Sequence, residues 1–519
     1  MEVVIFLAVG YFMPFELVPD RQLTPDDEEV YEQVEDSLIK IERFTTKAPS
    51  RSHLLIRFRV DSIRKGIAEP GNFIRLNLSK KNQEACIIIE KDAGEKQIAD
   101  FWGGGFSFKR GEWRFTFGDF LLHFGRGLIF SAPSARSGFS EVGFGQKENV
   151  LARSAQENRN LRGLRIDRTF QRFTFTCLGS YSPRDATLNA DGTIARLKFC
   201  GVHRDSVSLK EKGQAAQMLV GLIAQIRGNE RVSAGLAVQG IRFNRPFAPD
   251  DSAYSFYGQN LGALSLFLKA GAGGRSGGLE LATSLPDAIA VSAVVAVKEA
   301  GINAVLGGSV YSARFFSPAG RAYGLSRRFS RAEVNAHFGY HQGGFSAAVE
   351  GNTRRDYLTD SIPARLQFRT GYQSKPLQLR FILGERFRAE DEQSRSARIE
   401  IETGWRIVMM RLAFGDEYPL NSVGRGRIAE LNIRTEASPV DISLTGMLID
   451  ITGKGIRVYA SESGVMRVGT GFTSGESAQR LSITAAVKIK ELGRLGAKLG
   501  FTHKDDWQPD FAMQVEVIN

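Results

Sequence analysis

The sequence predicts an all-β fold: a large closed antiparallel transmembrane β-barrel of roughly 20–26 strands, with a short helix before it. Three observations carry that expectation. Apolar and polar residues alternate in short bursts from Leu54 to the end of the chain, the period-two pattern of a strand whose two faces meet different surroundings. Leu377, Leu379, Phe381 and Leu383 share one parity, while Gln378, Arg380, Arg386 and Arg388 hold the other. Ala397, Ile399, Ile401 and Trp405 alternate likewise with Arg398, Glu400 and Glu402, and Val440, Ile442, Leu444 and Leu448 with Asp441, Ser443 and Thr445. Composition agrees: 55 glycines and 36 phenylalanines stand against 16 prolines in 519 residues. Mean hydropathy is only -0.18, as expected where the apolar residues occupy alternate positions instead of one long helical run of ~18. A soluble β-solenoid or a pair of β-sandwiches is the competing reading, but no short fixed repeat supports a solenoid.

Residues 1–20 form an apolar N-terminal segment. Val3 to Phe12 resembles the hydrophobic part of a signal, but Glu2 stands where a basic residue belongs. A degenerate or truncated signal is therefore expected. Residues 21–50 read as an amphipathic helix and linker. Thr24 caps, Pro25 takes the first helical position, and Val30, Val34, Leu38 and Ile41 make an apolar stripe.

Residues 51–519 read as barrel. Predicted strands cover 53–61, 72–79, 84–91, 103–109, 112–123, 161–170, 172–181, 193–200, 215–227 and 230–243. They continue over 254–268, 277–285, 288–298, 301–313, 333–341, 344–352, 364–374, 376–388, 395–404 and 405–415. The last are 426–436, 439–450, 453–460, 466–474, 476–489, 491–503 and 509–518. Long connections at 131–160, 201–214 and 316–332 are expected on the outer side, and tight turns on the periplasmic side. In the final strand Phe511, Met513, Val515 and Val517 alternate with Gln514 and Glu516, which suits closure of last strand on first.

The net charge of +11 comes largely from arginines on the polar parity of strands. A nucleic-acid binder clusters its cations on one face among aromatics, so a nucleic-acid partner is not expected. Arg380, Arg386, Arg398, Glu400 and Glu402 are the predicted lumen-lining residues. Three cysteines, Cys86, Cys177 and Cys200, show no metal spacing. Cys177 shares parity with Phe173 and Phe175 and reads as an outward residue.

Several runs are more specific. Glu90-Lys91-Asp92-Ala93-Gly94-Glu95 precedes Phe101-Trp102-Gly103-Gly104. Next comes Gly118-Asp119-Phe120-Leu121-Leu122-His123-Phe124-Gly125-Arg126-Gly127-Leu128, then Tyr181-Ser182-Pro183-Arg184-Asp185-Ala186 and Gly201-Val202-His203-Arg204. Across about residues 70–215 this order resembles the barrel portion of a bacterial outer-membrane family whose longer members carry N-terminal helix-hairpin-helix repeats. The resemblance implies location in the outer membrane and, since the family has no assigned enzymatic activity, bears on location more than on mechanism. The repeats themselves are absent from residues 20–50, because their hairpin needs a glycine and none occurs there.

Asp119 shares parity with Trp113, Phe115 and Phe117, where a carboxylate facing lipid would be costly. Either Gly118 introduces a bulge that reverses the faces, or Asp119 lies beyond the hydrocarbon. Asp92, Glu95, Asp119 and Arg126 are expected to form a polar network at one barrel end, with Arg126 as a candidate partner of Asp119. No catalytic residues, cofactor or metal site are expected. Gly274-Arg275-Ser276-Gly277-Gly278 matches a nucleophile-elbow pattern only in letters, since no helix follows it. His337 and His341 lie two pleats apart on one strand.

Two functional classes remain. The first is a pore or transporter for small polar or anionic solutes, with lumen arginines setting the field. The second is a non-conducting scaffold that anchors a periplasmic or surface partner. The expected surroundings are outer-membrane lipid.

Overall fold

The computed structural model describes residues 50–60, 70–91, 101–131, 150–153, 158, 160–198, 203, 206–229, 232–248, 256–284, 288–312, 315–320, 331–356, 364–374, 377–387, 393–405, 408–419, 425–437, 440–452, 458–462, 470–474, 477–489, 493–503 and 507–518. The expected N-terminal segment and helix, together with Asp92 and Glu95, lie outside these residues.

Antiparallel neighbours follow one another around the barrel from β1 (Ser50–Val60), β2 (Pro70–Lys80), β3 (Gln83–Lys91) and β4 (Phe101–Arg110) to β5 (Trp113–Phe120), β6 (Leu161–Phe170) and β7 (Phe173–Arg184). A short hairpin, β8 (Ala186–Leu188) and β9 (Ile194–Leu197), and one helical turn, α1 (Ser206–Glu211), interrupt the series. The wall resumes with β10 (Ala215–Asn229), which pairs with β7, then β11 (Val232–Phe247), β12 (Gly258–Ala272), β13 (Arg275–Ser284), β14 (Ala288–Glu299) and β15 (Ile302–Tyr311). It continues through β16 (Arg331–Gln342), β17 (Phe345–Asp356), β18 (Ala364–Ser374), β19 (Leu377–Phe387), β20 (Gln393–Trp405), β21 (Val408–Pro419), β22 (Arg425–Ala437) and β23 (Val440–Thr452). A separate hairpin, β24 (Val458–Glu462) and β25 (Thr470–Ser474), precedes β26 (Ala478–Ile489), β27 (Gly493–His503) and β28 (Trp507–Ile518).

β28 pairs with β1, Leu55 opposite Glu516, so the sheet has no free edge. Twenty-four strands make the wall. The predicted strands 193–200, 453–460 and 466–474 are not staves: they correspond to the inner hairpin strand β9 and the separate hairpin β24–β25.

Two-residue turns join the strands at one end, as at Gly273-Gly274 and Gly343-Gly344, whose positive φ angles suit tight hairpins. Ser50 and Ile518, the outermost described residues of the wall, lie at that end. The long connections gather at the other. Facing follows the alternation. Leu222, Leu266, Ile289, Leu306, Ile399, Ile442 and Leu444 are 40–59% exposed on the outer face. Their strand neighbours Gln217, Ser265, Glu280, Ser292, Arg398 and Ser443 are buried inside. An apolar belt of this extent is the exterior of a barrel that crosses a membrane. Cys177 is exposed on it, and Cys86 is buried.

Candidate functional site

Gly118-Asp119 opens a segment that leaves the wall. The register of β5 with β4 and β6 is continuous through Gly118, so no bulge is inserted. Gly118 has φ 88°, a conformation that costs other residues a steric clash. A Cβ there would lie 2.2 Å from the Gly104 carbonyl oxygen. Beyond this turn alternation fails: Asp119 and Phe120 are both buried. The chain then runs into the barrel through Ser131, carrying Leu122, Phe124, Leu128, Ile129 and Phe130 into one apolar core with inner residues of β7 and β10–β15. This is the run that the sequence extended as strand to residue 123. Phe120 to Ser131 is instead an infolded segment.

Shape and polarity both fix it. Phe124 meets Phe267 edge-on at 5.1 Å between ring centroids. The wall provides room by glycine: a Cβ on Gly235 would meet Phe124 at 2.9 Å and Phe267 at 2.8 Å, and one on Gly221 would meet Phe130 at 2.9 Å. Fully burying each such ring stabilises by about 1.5–3 kcal/mol. Gly125 (φ 56°) and Gly127 (φ 86°) curl the backbone so that neighbouring amides converge, a concavity suited to an anion. The anion is the chain's own. The Glu280 carboxylate, fully buried on β13, accepts hydrogen bonds from the Arg126 amide, from the Leu128 amide at 3.3 Å and from the Ser265 hydroxyl at 2.6 Å.

The start of the connection after β15 locks the segment from above. Ser131 donates its amide to Ala319 O at 2.8 Å, and the Ser317 hydroxyl donates to Ile129 O at 3.2 Å while accepting from Gln239 at 2.9 Å. Beside it, Asp185 ties β7 to the connection that follows. Its carboxylate accepts from Asn158 at 2.8 Å and the Gly213 amide at 2.7 Å, and meets His203 Nε2 at 2.8 Å. Asp185 and His203, 18 positions apart in sequence, thus meet at a buried structural joint.

Asp119 finds its partner on β6. Arg162 Nε donates to Oδ1 at 2.6 Å and Nη2 to Oδ2 at 2.9 Å, and the Gly104 amide donates to Oδ2 at 2.8 Å. Arg162 also lies 5.7 Å from the Trp102 ring. The carboxylate for which Arg126 was the expected partner is thus held by Arg162, while the Arg126 backbone amide is engaged by Glu280.

The inner wall that follows, from β17 to β22, is charged. Arg398 and Glu400, buried on β20, meet at 2.5 Å. Arg398 reaches Glu430 at 3.3 Å, and Arg411 reaches Glu400 at 3.0 Å. Arg380 approaches Glu400 at 3.8 Å. Glu402 is half-buried, in register with Gln378 and Arg411, and Arg386 is in register with Arg365 and Ser394. On β17 Glu350 bridges His337 at 3.3 Å and Arg369 at 3.2 Å. His337 thus has a carboxylate neighbour, and His341 sits beside the β16–β17 turn. Gly274 is the hairpin turn that the sequence suggested. Glu280, Arg162, Arg411 and Glu430 were not singled out from sequence, although Glu280 had one signal: a lone carboxylate on the inward parity between Leu279 and Leu281. Among the described residues no group of three or more His, Cys, Asp or Glu is arranged to hold a metal ion.

No family model matches the chain. No curated protein matches it either. Among solved structures, the P pilus usher translocation pore aligns over 90% of this chain and 99% of its own with 8% identity and a TM-score of 0.42. The siderophore receptor PirA from Acinetobacter baumannii aligns over 92% and 81% with 8% identity and a TM-score of 0.43. The outer membrane protein OpdK from Pseudomonas aeruginosa aligns over 91% and 98% with 10% identity and a TM-score of 0.31. At these values the likenesses carry no argument about function, and the barrel rests on its own strand pairing.

Proposed function

We propose that this chain is a bacterial outer-membrane barrel that passes small polar solutes along its charged inner wall. One contrast carries the reading. The inner wall at β10–β15 is sealed by the infolded segment, whereas Arg369, Arg380 and Arg411, further round the wall on β18, β19 and β21, keep 38%, 22% and 23% of their side-chain surface accessible. A passage bounded by an apolar plug on one side and fixed charge on the other favours hydrated solutes over apolar ones. The arginine field that would select anions is largely answered in place by Glu350, Glu400 and Glu430. Weak ion selectivity fits that wall better than a strong anion preference.

The test is single-channel recording on the refolded protein in a planar bilayer. Small, weakly selective conductance steps are expected. A folded barrel without conductance would favour the second reading, a non-conducting scaffold. The extent of the apolar core within the barrel is what supports that alternative.

A further inference from the structure

The outer face of β4–β7 changes character at the tight-turn end. Phe108 stacks on Phe115 at 5.1 Å, and Phe170 on Phe173 at 5.6 Å and Phe175 at 5.9 Å. Trp113, Phe173 and Phe175 are 40%, 37% and 45% exposed, so the belt lies open on the exterior. Arg168 stands on the same outward parity and joins the two groups of rings. Its guanidinium carbon is 5.0 Å from the Trp113 centroid and 5.2 Å from that of Phe170.

Past the belt, at the turns themselves, Lys80, Lys81, Lys109, Arg110 and Arg172 are exposed. Acid is sparse there. Glu112 lies 3.6 Å from Arg168 with both side chains about half exposed, where water screens the pair. Glu84 is turned to Arg153 at 3.3 Å.

We propose that this rim binds the headgroup of an anionic glycerophospholipid in the leaflet on the tight-turn side. Acyl chains would lie along Phe173 and Phe175, with the phosphate at Arg168 and the turn cations. The inference rests on the transmembrane reading of the barrel. Aromatic rings settle at headgroup depth, and a cation held between two of them is fixed at that depth instead of snorkelling freely. Each cation near an anionic surface strengthens attraction by about fivefold, which distinguishes this rim from an aromatic belt that accepts any phospholipid.

The experiment reads Trp113 fluorescence in the full chain carrying Trp102→Phe, Trp405→Phe and Trp507→Phe, refolded into vesicles. Brominated phosphatidylglycerol and brominated phosphatidylcholine are compared as quenchers at equal mole fraction. A several-fold preference for phosphatidylglycerol is expected. Adding Lys109→Gln, Arg110→Gln and Arg168→Gln should bring the ratio close to one in a barrel whose gel mobility still shifts on heating. Equal quenching before those three changes would overturn the proposal. Displacement of phosphatidylglycerol by a smaller mole fraction of lipopolysaccharide would overturn the choice of lipid and leaflet. No quenching by either lipid in a folded barrel would overturn the transmembrane reading, and the lipid site with it.

Discussion

Glu280 and Leu128 stand 152 positions apart in the chain, yet the Glu280 carboxylate accepts the Leu128 amide at 3.3 Å inside the barrel. That contact, shared with the Arg126 amide and the Ser265 hydroxyl, makes one strand carboxylate the anchor of the infolded segment. A buried acceptor serving three donors matters more for what its loss exposes than for the bonds themselves.

Glu280→Ala should therefore leave two buried amides and a hydroxyl without their acceptor, costing about 2–4 kcal/mol. Glu280→Gln keeps one oxygen but turns an NH2 toward the donors, and should fall in between. Urea unfolding of the refolded barrel measures the loss. In the same variants single-channel conductance should rise, because the segment is freed from the wall. Reduced stability with unchanged conductance would show that the segment does not limit the passage.

A second expectation concerns the sockets opposite the rings. Gly235→Ala places a methyl 2.9 Å from Phe124, and Gly221→Ala places one 2.9 Å from Phe130. Overpacking of this kind costs about 1–3 kcal/mol. Gly446→Ala is the control: nothing lies within 4 Å of its Cβ, and alanine suits a strand better than glycine. Equal stability for all three variants would mean that the infolded segment does not seat as described.

How much of this was legible in the sequence differs between wall and interior. The wall was, because side-chain facing in a strand follows from period two alone: Ile399 lies 48% exposed and its neighbours Arg398 and Glu400 are buried. The infolded segment was not. Phe120 to Ser131 has neither strand nor helix period, and its partners Gly221, Gly235 and Glu280 are set by closure of the barrel, not by spacing. The turn at Gly118 hides it further, since a left-handed residue reverses facing without adding a residue to the register. Asp119 was recognised as anomalous on an apolar parity, but Arg162 is 43 positions away, beyond the reach of local pattern.

Asp119 and Arg162 give a third expectation. Their two hydrogen bonds of 2.6 and 2.9 Å join a buried carboxylate to a guanidinium that is about one-third exposed. Asp119→Asn should cost about 1–3 kcal/mol, a range that takes account of that exposure. A double-mutant cycle with Arg162→Gln should show a coupling energy of about 1 kcal/mol or more. Strictly additive effects would show that the pair contributes through other neighbours, such as the Gly104 amide.

The last expectation concerns the charged wall, where sign decides the outcome. On β20–β22, Arg398 and Arg411 lie 2.5 to 3.9 Å from Glu400 and Glu430. While all four are present their fields largely cancel beyond a few ångströms, so a salt gradient should give a reversal potential close to zero. Glu400→Gln with Glu430→Gln removes two negative charges and exposes the two arginines to a low-dielectric interior, where potential is poorly screened. Reversal potential should then shift toward anion preference. Arg398→Gln with Arg411→Gln should shift it the other way, toward cations. Both double variants lose stability, because each leaves buried charge without its partner; the selectivity measurement is therefore made on the fraction that inserts and conducts. Opposite shifts in the two variants would identify this wall as the surface that solutes pass. Equal potentials in the wild type and both variants would mean that the conducting path, if one forms, runs elsewhere in the barrel.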